Sequence, residues 1–209
     1  MEISEHPIFI ESIEHIRSKI GFTGLDEVQQ SILERIIHAS GDLRIQSLLR
    51  FSPRACEDAI GALRKGAKIL TDTHMAKAAV SPMAKRTLNS DVQCILDLRY
   101  KSPDLTSTTR SAVAMRTVWL DLEKKDDLLE APIVVIGSAP TALMALLDLI
   151  EQGRTKPSLI IGMPVGFIGV CESKARLLNS DISHIVLESS KGGASLAAAT
   201  INALLKAAV

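Results

Sequence analysis

Aromatic side chains are scarce. The 209 residues include four Phe, one Tyr and one Trp, 3 % in all. That is too few rings for the base-stacking platforms with which proteins grip single-stranded nucleic acid. An excess of either charge is also missing, since 24 Lys and Arg balance 24 Asp and Glu. Without a global positive field, neither nucleic acid nor an anionic membrane is an expected partner. An anionic ligand has to be held by local charges. Cysteine is sparse, and Cys56, Cys94 and Cys171 stand 38 and 77 residues apart with no CxxC pair. A scattered, odd set reads as reduced core thiols, with the cytoplasm as the expected compartment. No Cys or His spacing fits a zinc site, so no metal is expected. The start, MEISEHPIFIES, has neither a basic cluster nor a long apolar run and does not read as a signal peptide. The apolar stretches at 131–150 and 157–171 are interrupted by Gly, Pro or Asp and do not read as membrane spans. GxGxxG, GxxxxGK[ST] and GxSxG are all absent, which argues against a dinucleotide fold signature, a P-loop and a serine-hydrolase elbow.

What is present is a chain with 46 % hydrophobic residues, long enough to bury about 70 % of its unfolded surface. A single domain over residues 1–209 is expected, with a core of Ala, Ile, Leu and Val. Periodicity predicts helices over 7–20 and 25–39, closed by Gly21 and Gly41. A strand is expected at 43–51, a helix from Pro53 to Gly66, a strand at 67–72, a short helix at 74–80 and a strand at 92–98. A polar loop at 100–109 precedes a helix at 110–122. Three strand–helix pairs then follow, with strands at 133–137, 158–162 and 184–189. The alternation predicts an α/β fold, a mainly parallel sheet covered by helices on both faces.

Ligands of such sheets bind beyond the carboxyl ends of the strands. Three glycine-bearing segments belong there: 137–141 (GSAPT), 162–169 (GMPVGFIG) and 192–195 (GGAS). Each precedes or opens a helix, where bare N–H groups favour anions. The plainer reading is that these glycines serve turns and helix packing. On the second helix Ser31, Arg35, His38 and Asp42 are spaced i, i+4, i+7 and i+11, one polar stripe beside an isoleucine face. His38 falls in the last turn, where the helix dipole favours imidazolium, and could hand a proton to a substrate. Arg35 could hold a carboxylate. A histidine that merely caps a helix end is the plainer alternative. His6, His15, His74 and His184 read as caps or surface residues. Arg110, Arg116, Lys174 and Lys191 are further cations for an acidic ligand, the last beside Gly192 and Gly193, though each could equally be a solvated charge.

Seven strings carry a family resemblance: HPI-x-x-ES (6–12), ERIIHASGD (34–42), TDTHM (71–75), TRSAVAM (109–115), VVIGSAPTAL (134–143), LIIGMPVGFIGVCESKARL (159–177) and KGGASLAAATINAL (191–204). In this order they resemble the precorrin-8X methylmutase family, also called precorrin isomerases, over nearly the whole chain. The resemblance implies an isomerase of cobalamin biosynthesis that moves a methyl group from C-11 to C-12 of a tetrapyrrole. It implies no organic cofactor, any cobalt being carried by the substrate, and a hydrogenobyrinate- or cobyrinate-type product. It further implies a three-layer α/β/α sandwich with a flavodoxin-like sheet, and a homodimer with the site near the subunit interface. The family's catalytic histidine falls on His38, its substrate contacts on Ser12 and Arg35, and its Arg-Ser pair on Arg110 and Ser111. Lys174, Lys191, Gly192 and Gly193 complete the expected binding set. Ser138 and His74 stand where the family often has Asn, and the SSKGGAS stretch lacks a glycine and an arginine before Lys191. A tetrapyrrole carrier without chemistry would use the same pocket. An unrelated phosphate- or nucleotide-binding α/β enzyme is the third reading.

Overall fold

The computed structural model describes residues 5–97, 108–124 and 130–209. In chain order the elements are α1 (Pro7–Ile20), α2 (Glu27–Ser40), β1 (Leu49–Phe51), α3 (Ala55–Arg64), β2 (Ile69–Thr71), α4 (His74–Arg86) and β3 (Val92–Cys94). They continue with α5 (Arg110–Lys124), β4 (Ile133–Ile136), α6 (Pro140–Glu151), β5 (Leu159–Gly162), α7 (Val170–Leu178), β6 (His184–Leu187) and α8 (Ala194–Ala207).

Local chemistry sets the helix ends. Pro7 opens α1 where a donor is dispensable, and His6 Nδ1 accepts from the Ile8 N–H at 3.2 Å. Asp26 and Gln29 close a reciprocal capping box, so α2 starts at Glu27 rather than Leu25. Gly41 ends it in the left-handed region (φ 66°) and donates its N–H to Ile37. The buried stripe Ile32, Leu33, Ile36 and Ile37 anchors α2, each side chain contributing about 1.5–3 kcal/mol of transfer free energy.

The stretch expected as one strand over 43–51 divides. Asp42 accepts from the Arg44 N–H at 3.0 Å and the chain tightens into a 3-10 turn over Leu43–Ser47. Only three residues remain for β1. The expected strand 92–98 likewise ends at Cys94, followed by a 3-10 turn over Ile95–Asp97. The helix from His74 runs past Val80 to Arg86 in spite of Pro82. The polar loop expected at 100–109 lies mostly outside the described residues.

The six strands lie in the order β1-β6-β5-β4-β2-β3. Five are parallel, and β1 adds an antiparallel edge with Leu49 opposite Leu187 and Phe51 opposite Ile185. Counted from the first parallel strand, the five run 2-1-3-4-5, a common doubly wound order. β4, β5 and β6 are buried at every position, as strands covered on both faces must be. Alternate residues serve opposite cores. Ile133, Val135, Ile161 and Ile185 pack with α1, α2, α3, α4 and α8. Val134, Ile136, Ile160 and Val186 pack with α5, α6 and α7. The expected α/β/α layering is therefore present. Among the described residues no helix is long and apolar enough to cross a membrane.

Candidate active site

α8 follows β6 and so begins at the carboxyl edge of the sheet. α2 runs antiparallel to it. Lys191, just before α8, pairs with Asp42, just past the end of α2. Glu5 meets both Arg35 within α2 and Lys206 in the last turn of α8. This pairing carries the last turn of α2, with His38, to the edge where doubly wound folds bind ligands.

His38 is exposed, and its Nδ1 lies 2.7 Å from Ser12 Oγ, brought from α1. When the ring is protonated, Nδ1–H donates to Ser12 and Nε2–H remains available to a ligand. The edge of Phe9 meets the imidazole, with centroids 5.0 Å apart and planes at 70°. The same phenyl ring lies 4.9 Å from the Arg35 guanidinium carbon, a cation–π contact. Phe9 escaped the sequence reading, yet it stands three residues before Ser12 and shares its face of α1.

Arg35 and Lys206 share one carboxylate, that of Glu5. Burial pushes this carboxyl up, but the Lys206 and Arg35 contacts outweigh it and hold the carboxyl below its ordinary value. Around this trio lies a cleft of about 240 Å³ lined by Glu5, Phe9, Ile13, Arg17, Glu34 and Arg35. Arg17 pairs in turn with Glu34, and across the cleft Arg17, Arg35 and Lys206 are balanced by Glu5, Glu14 and Glu34. The cleft does not include His38, and it is smaller than the roughly 300–1,000 Å³ of ordinary ligand pockets. A large ligand has to lie across the rim rather than inside this cleft.

On the far side of His38, Asp42 accepts from Arg44 Nε at 2.9 Å and from Lys191. The Arg44 hydrogen bonds, then that of Lys191, hold Asp42 far below the usual carboxylate range. Lys191 thus stands beside the end of α2 in an ion pair.

Lys174 differs from expectation. It is 1 % exposed, and its ammonium donates to the carbonyls of Ser189 at 2.8 Å and Lys191 at 2.6 Å. Burial pulls its pKa down to about 8. A side chain so enclosed fastens the 189–191 loop from beneath and does not present itself to a ligand. Gly192 is also a packing residue, because a Cβ there would stand 2.1 Å from the Met163 carbonyl oxygen. Gly193 (φ 126°) donates its N–H to Met163 at 2.9 Å and opens α8 without a side-chain cap. A side chain at that angle would be strained.

Arg110 and Ser111 begin α5, on the opposite face of the sheet from His38. Thr109 Oγ1 lies 2.7 Å from Thr141 Oγ1 on α6, which ties this segment to the turn after β4. In that turn the N–H groups of Ser138 and Ala139 are taken by Asp72 at 2.6 and 2.8 Å. The GSAPT segment is therefore not open to an external anion, which weighs against the phosphate-binding reading.

His74 lies at the surface, as expected, at the first position of α4. Its Nε2 lies 2.7 Å from Asp97, which also accepts from Lys77 at 2.6 Å. Lys77, then His74, holds the Asp97 carboxyl down to about 2. His184, expected at a cap or surface, is buried in β6. Its Nδ1 lies 2.8 Å from the Ile182 carbonyl, and burial lowers its pKa, favouring the neutral ring. Cys56 and Cys94 are buried as expected, whereas Cys171 is exposed; all three thiols are free. Among the described residues no group of three or more His, Cys, Asp or Glu could hold a metal ion.

These features define a doubly wound α/β protein with a histidine-centred, cation-bearing rim. The precorrin-8X methylmutase family model matches residues 7–207. A cobalt-precorrin-8 methylmutase of Synechocystis sp. is 35 % identical, over 96 % of this chain and 95 % of the relative. A precorrin-8X methylmutase of Pseudomonas aeruginosa is 37 % identical, over 94 % and 93 %. A crystal structure of the precorrin-8X methylmutase from Thermus thermophilus superposes with a TM-score of 0.82 at 33 % identity, covering 97 % of this chain and 98 % of that one. The chain belongs to the precorrin-8X methylmutase family of cobalamin biosynthesis and is an enzyme of the isomerase class.

Proposed function

We propose that the chain rearranges precorrin-8X, or its cobalt complex, by moving the C-11 methyl group to C-12, with His38 as the acid. The contact that carries this reading is Ser12 Oγ to His38 Nδ1 at 2.7 Å. It orients the ring and leaves Nε2 free. The imidazolium Nε2–H donates to the macrocycle and draws electron density through its conjugated system. The C-11–methyl bond breaks as the C-12–methyl bond forms, on one face of the ring. Substrate and product are isomers, so no methyl donor and no oxidant enter, and the proton lent by His38 is returned.

The substrate bears many carboxylates, which suits Arg35, Lys191 and the start of α8 around the rim. No resident cofactor is proposed; cobalt, where present, arrives as part of the substrate. A homodimer is part of the proposal, with the site near the subunit interface. Two observations support it: the cleft beside Arg35 is small, and Arg110 and Ser111 lie across the sheet from His38.

The test is anaerobic incubation with the C-11-methylated precursor, with and without cobalt, followed by absorption spectroscopy. General-acid assistance contributes about 10²–10⁴-fold, so His38→Ala should lose turnover on that scale while still binding the macrocycle. Full turnover by His38→Ala would refute the acid role. Binding by the wild type without conversion of either form would identify a carrier.

A further inference from the structure

β2 and β4 are neighbours whose chains leave the carboxyl edge in opposite directions, β2 to α4 on one face and β4 to α6 on the other. Such a divergence opens the crevice in which doubly wound proteins hold ligands, often anions on backbone N–H groups. Here a side chain of the chain itself is in that place. Asp72, the residue after β2, is 0 % exposed. Its Oδ2 accepts from the N–H groups of Ser138 and Ala139 at 2.6 and 2.8 Å. Its Oδ1 is buried with no hydrogen-bond partner. Buried polar atoms are nearly always paired, so an orphan oxygen calls for a reason. Burial pushes this carboxyl up, against the N–H groups of Ala139, Gly137 and Ser138, which favour its charged form.

The turn that Asp72 holds touches both halves of the rim. Gly137 backs onto α8 so closely that a Cβ would stand 2.6 Å from the Ala194 Cα. Thr141, at the start of α6, meets Thr109, the neighbour of Arg110. We infer that Asp72 is a positioning residue for the isomerase: an internal carboxyl that fills the switch-point crevice, fixes the 137–139 turn and, through Gly137, holds the first turn of α8 in register. In its link to turnover this rests on the reading of the rim as the substrate site. The role needs an acceptor oxygen rather than a charge, so asparagine can fill it and alanine cannot.

The experiment compares Asp72→Asn, Asp72→Ala and Leu63→Ala, the last a destabilised control on α3, whose side chain is 1 % exposed. Amide exchange comes first and needs no substrate. In Asp72→Ala the amides of Ser138, Ala139 and Leu196 should exchange at least about tenfold faster than in Leu63→Ala. In Asp72→Asn they should keep wild-type protection. With the precursor, Asp72→Ala should lose at least about tenfold in kcat/KM with a raised KM, and Asp72→Asn should stay within about threefold of wild type. Added formate, a free carboxylate for the vacated place, should partly restore Asp72→Ala, and equal chloride should not. Wild-type protection of the turn in Asp72→Ala overturns the inference, as does an Asp72→Asn protein as impaired as Asp72→Ala. If Asp72→Ala does not fold, Asp72→Asn decides: wild-type protection and KM support the role, and their loss overturns it. A wild type inert toward the precursor sinks the isomerase reading instead, and the exchange comparison still decides what Asp72 holds.

Discussion

Replacing Lys174 by methionine should cost little stability at pH 7 and more as the pH rises toward 10. Methionine fills nearly the same space but cannot donate. The carbonyls of Ser189 and Lys191 each lose a charge-assisted hydrogen bond, and an orphaned buried group costs about 1–3 kcal/mol. Against this, burial has drawn the lysine from 10.5 to about 8, an unfavourable linkage of about 3 kcal/mol while the amine is charged in both states. Removing the charge recovers that amount, so the two effects nearly offset at pH 7. The sign of the pH dependence follows from proton binding. Between pH 8 and 10.5 the unfolded chain holds this proton and the folded chain releases it. The unfolded state then binds more protons, and wild-type stability rises with pH across that window. Methionine gains nothing there. The stability difference between the two proteins should therefore widen by about 3 kcal/mol from pH 7 to pH 10.5. Urea unfolding of both proteins across this range measures it, since every other titrating group cancels in the difference. A flat or shrinking difference would refute the reasoning, because the two carbonyls would then hold the ammonium as firmly as burial expels it.

Two further outcomes follow from packing. Gly192→Ala would set a Cβ 2.1 Å from the Met163 oxygen and 2.7 Å from that of Pro164, both backbone, and should lower stability by about 1–3 kcal/mol or more. Gly61→Ala, in the open interior of α3, should raise stability by about 0.5–1 kcal/mol; urea midpoints that shift the same way in both variants would contradict the contrast. Of the three thiols, only Cys171 is exposed, so a thiol reagent should titrate one group in the native protein and three after unfolding.

The sequence placed His38 correctly in the last turn of α2, because the isoleucine stripe and Gly41 mark that turn. It could not show Ser12 against His38. That contact joins residues 26 positions apart and depends on how α1 lies on α2. Glu5, which Arg35 and Lys206 share, is set by the same packing. Lys174 was misread although the signal was present: Val170, Ser173, Lys174 and Leu177 stand i, i+3, i+4 and i+7 and form the buried stripe of α7. Reading the lysine by its charge rather than by its helical position made it a ligand contact. His184 was misread in the same way, as it belongs to a strand buried at every position. The 43–51 stretch misled for another reason. Its apolar content is that of a strand, but Asp42 turns the chain before the sheet begins.

The placement of the site follows from one difference between this chain and the general doubly wound plan. In that plan the ligand lies where neighbouring strands part, on the N–H groups of a glycine-rich turn. Here the N–H groups of Ser138 and Ala139 donate to Asp72, so the parting of β2 and β4 is closed from within. The exposed histidine and its arginine come instead from α2, and their partners Ser12 and Phe9 from α1, two helices that precede the first strand and share a core with α8. The same two helices bury Ile13, Ile16, Ile32, Leu33, Ile36 and Ile37 in the core that α8 and the sheet share, so His38, Ser12, Arg35 and Phe9 stand on elements the fold itself uses. The candidate site therefore stands on helices outside the strand–helix alternation yet inside the core, rather than in the crevice of the sheet.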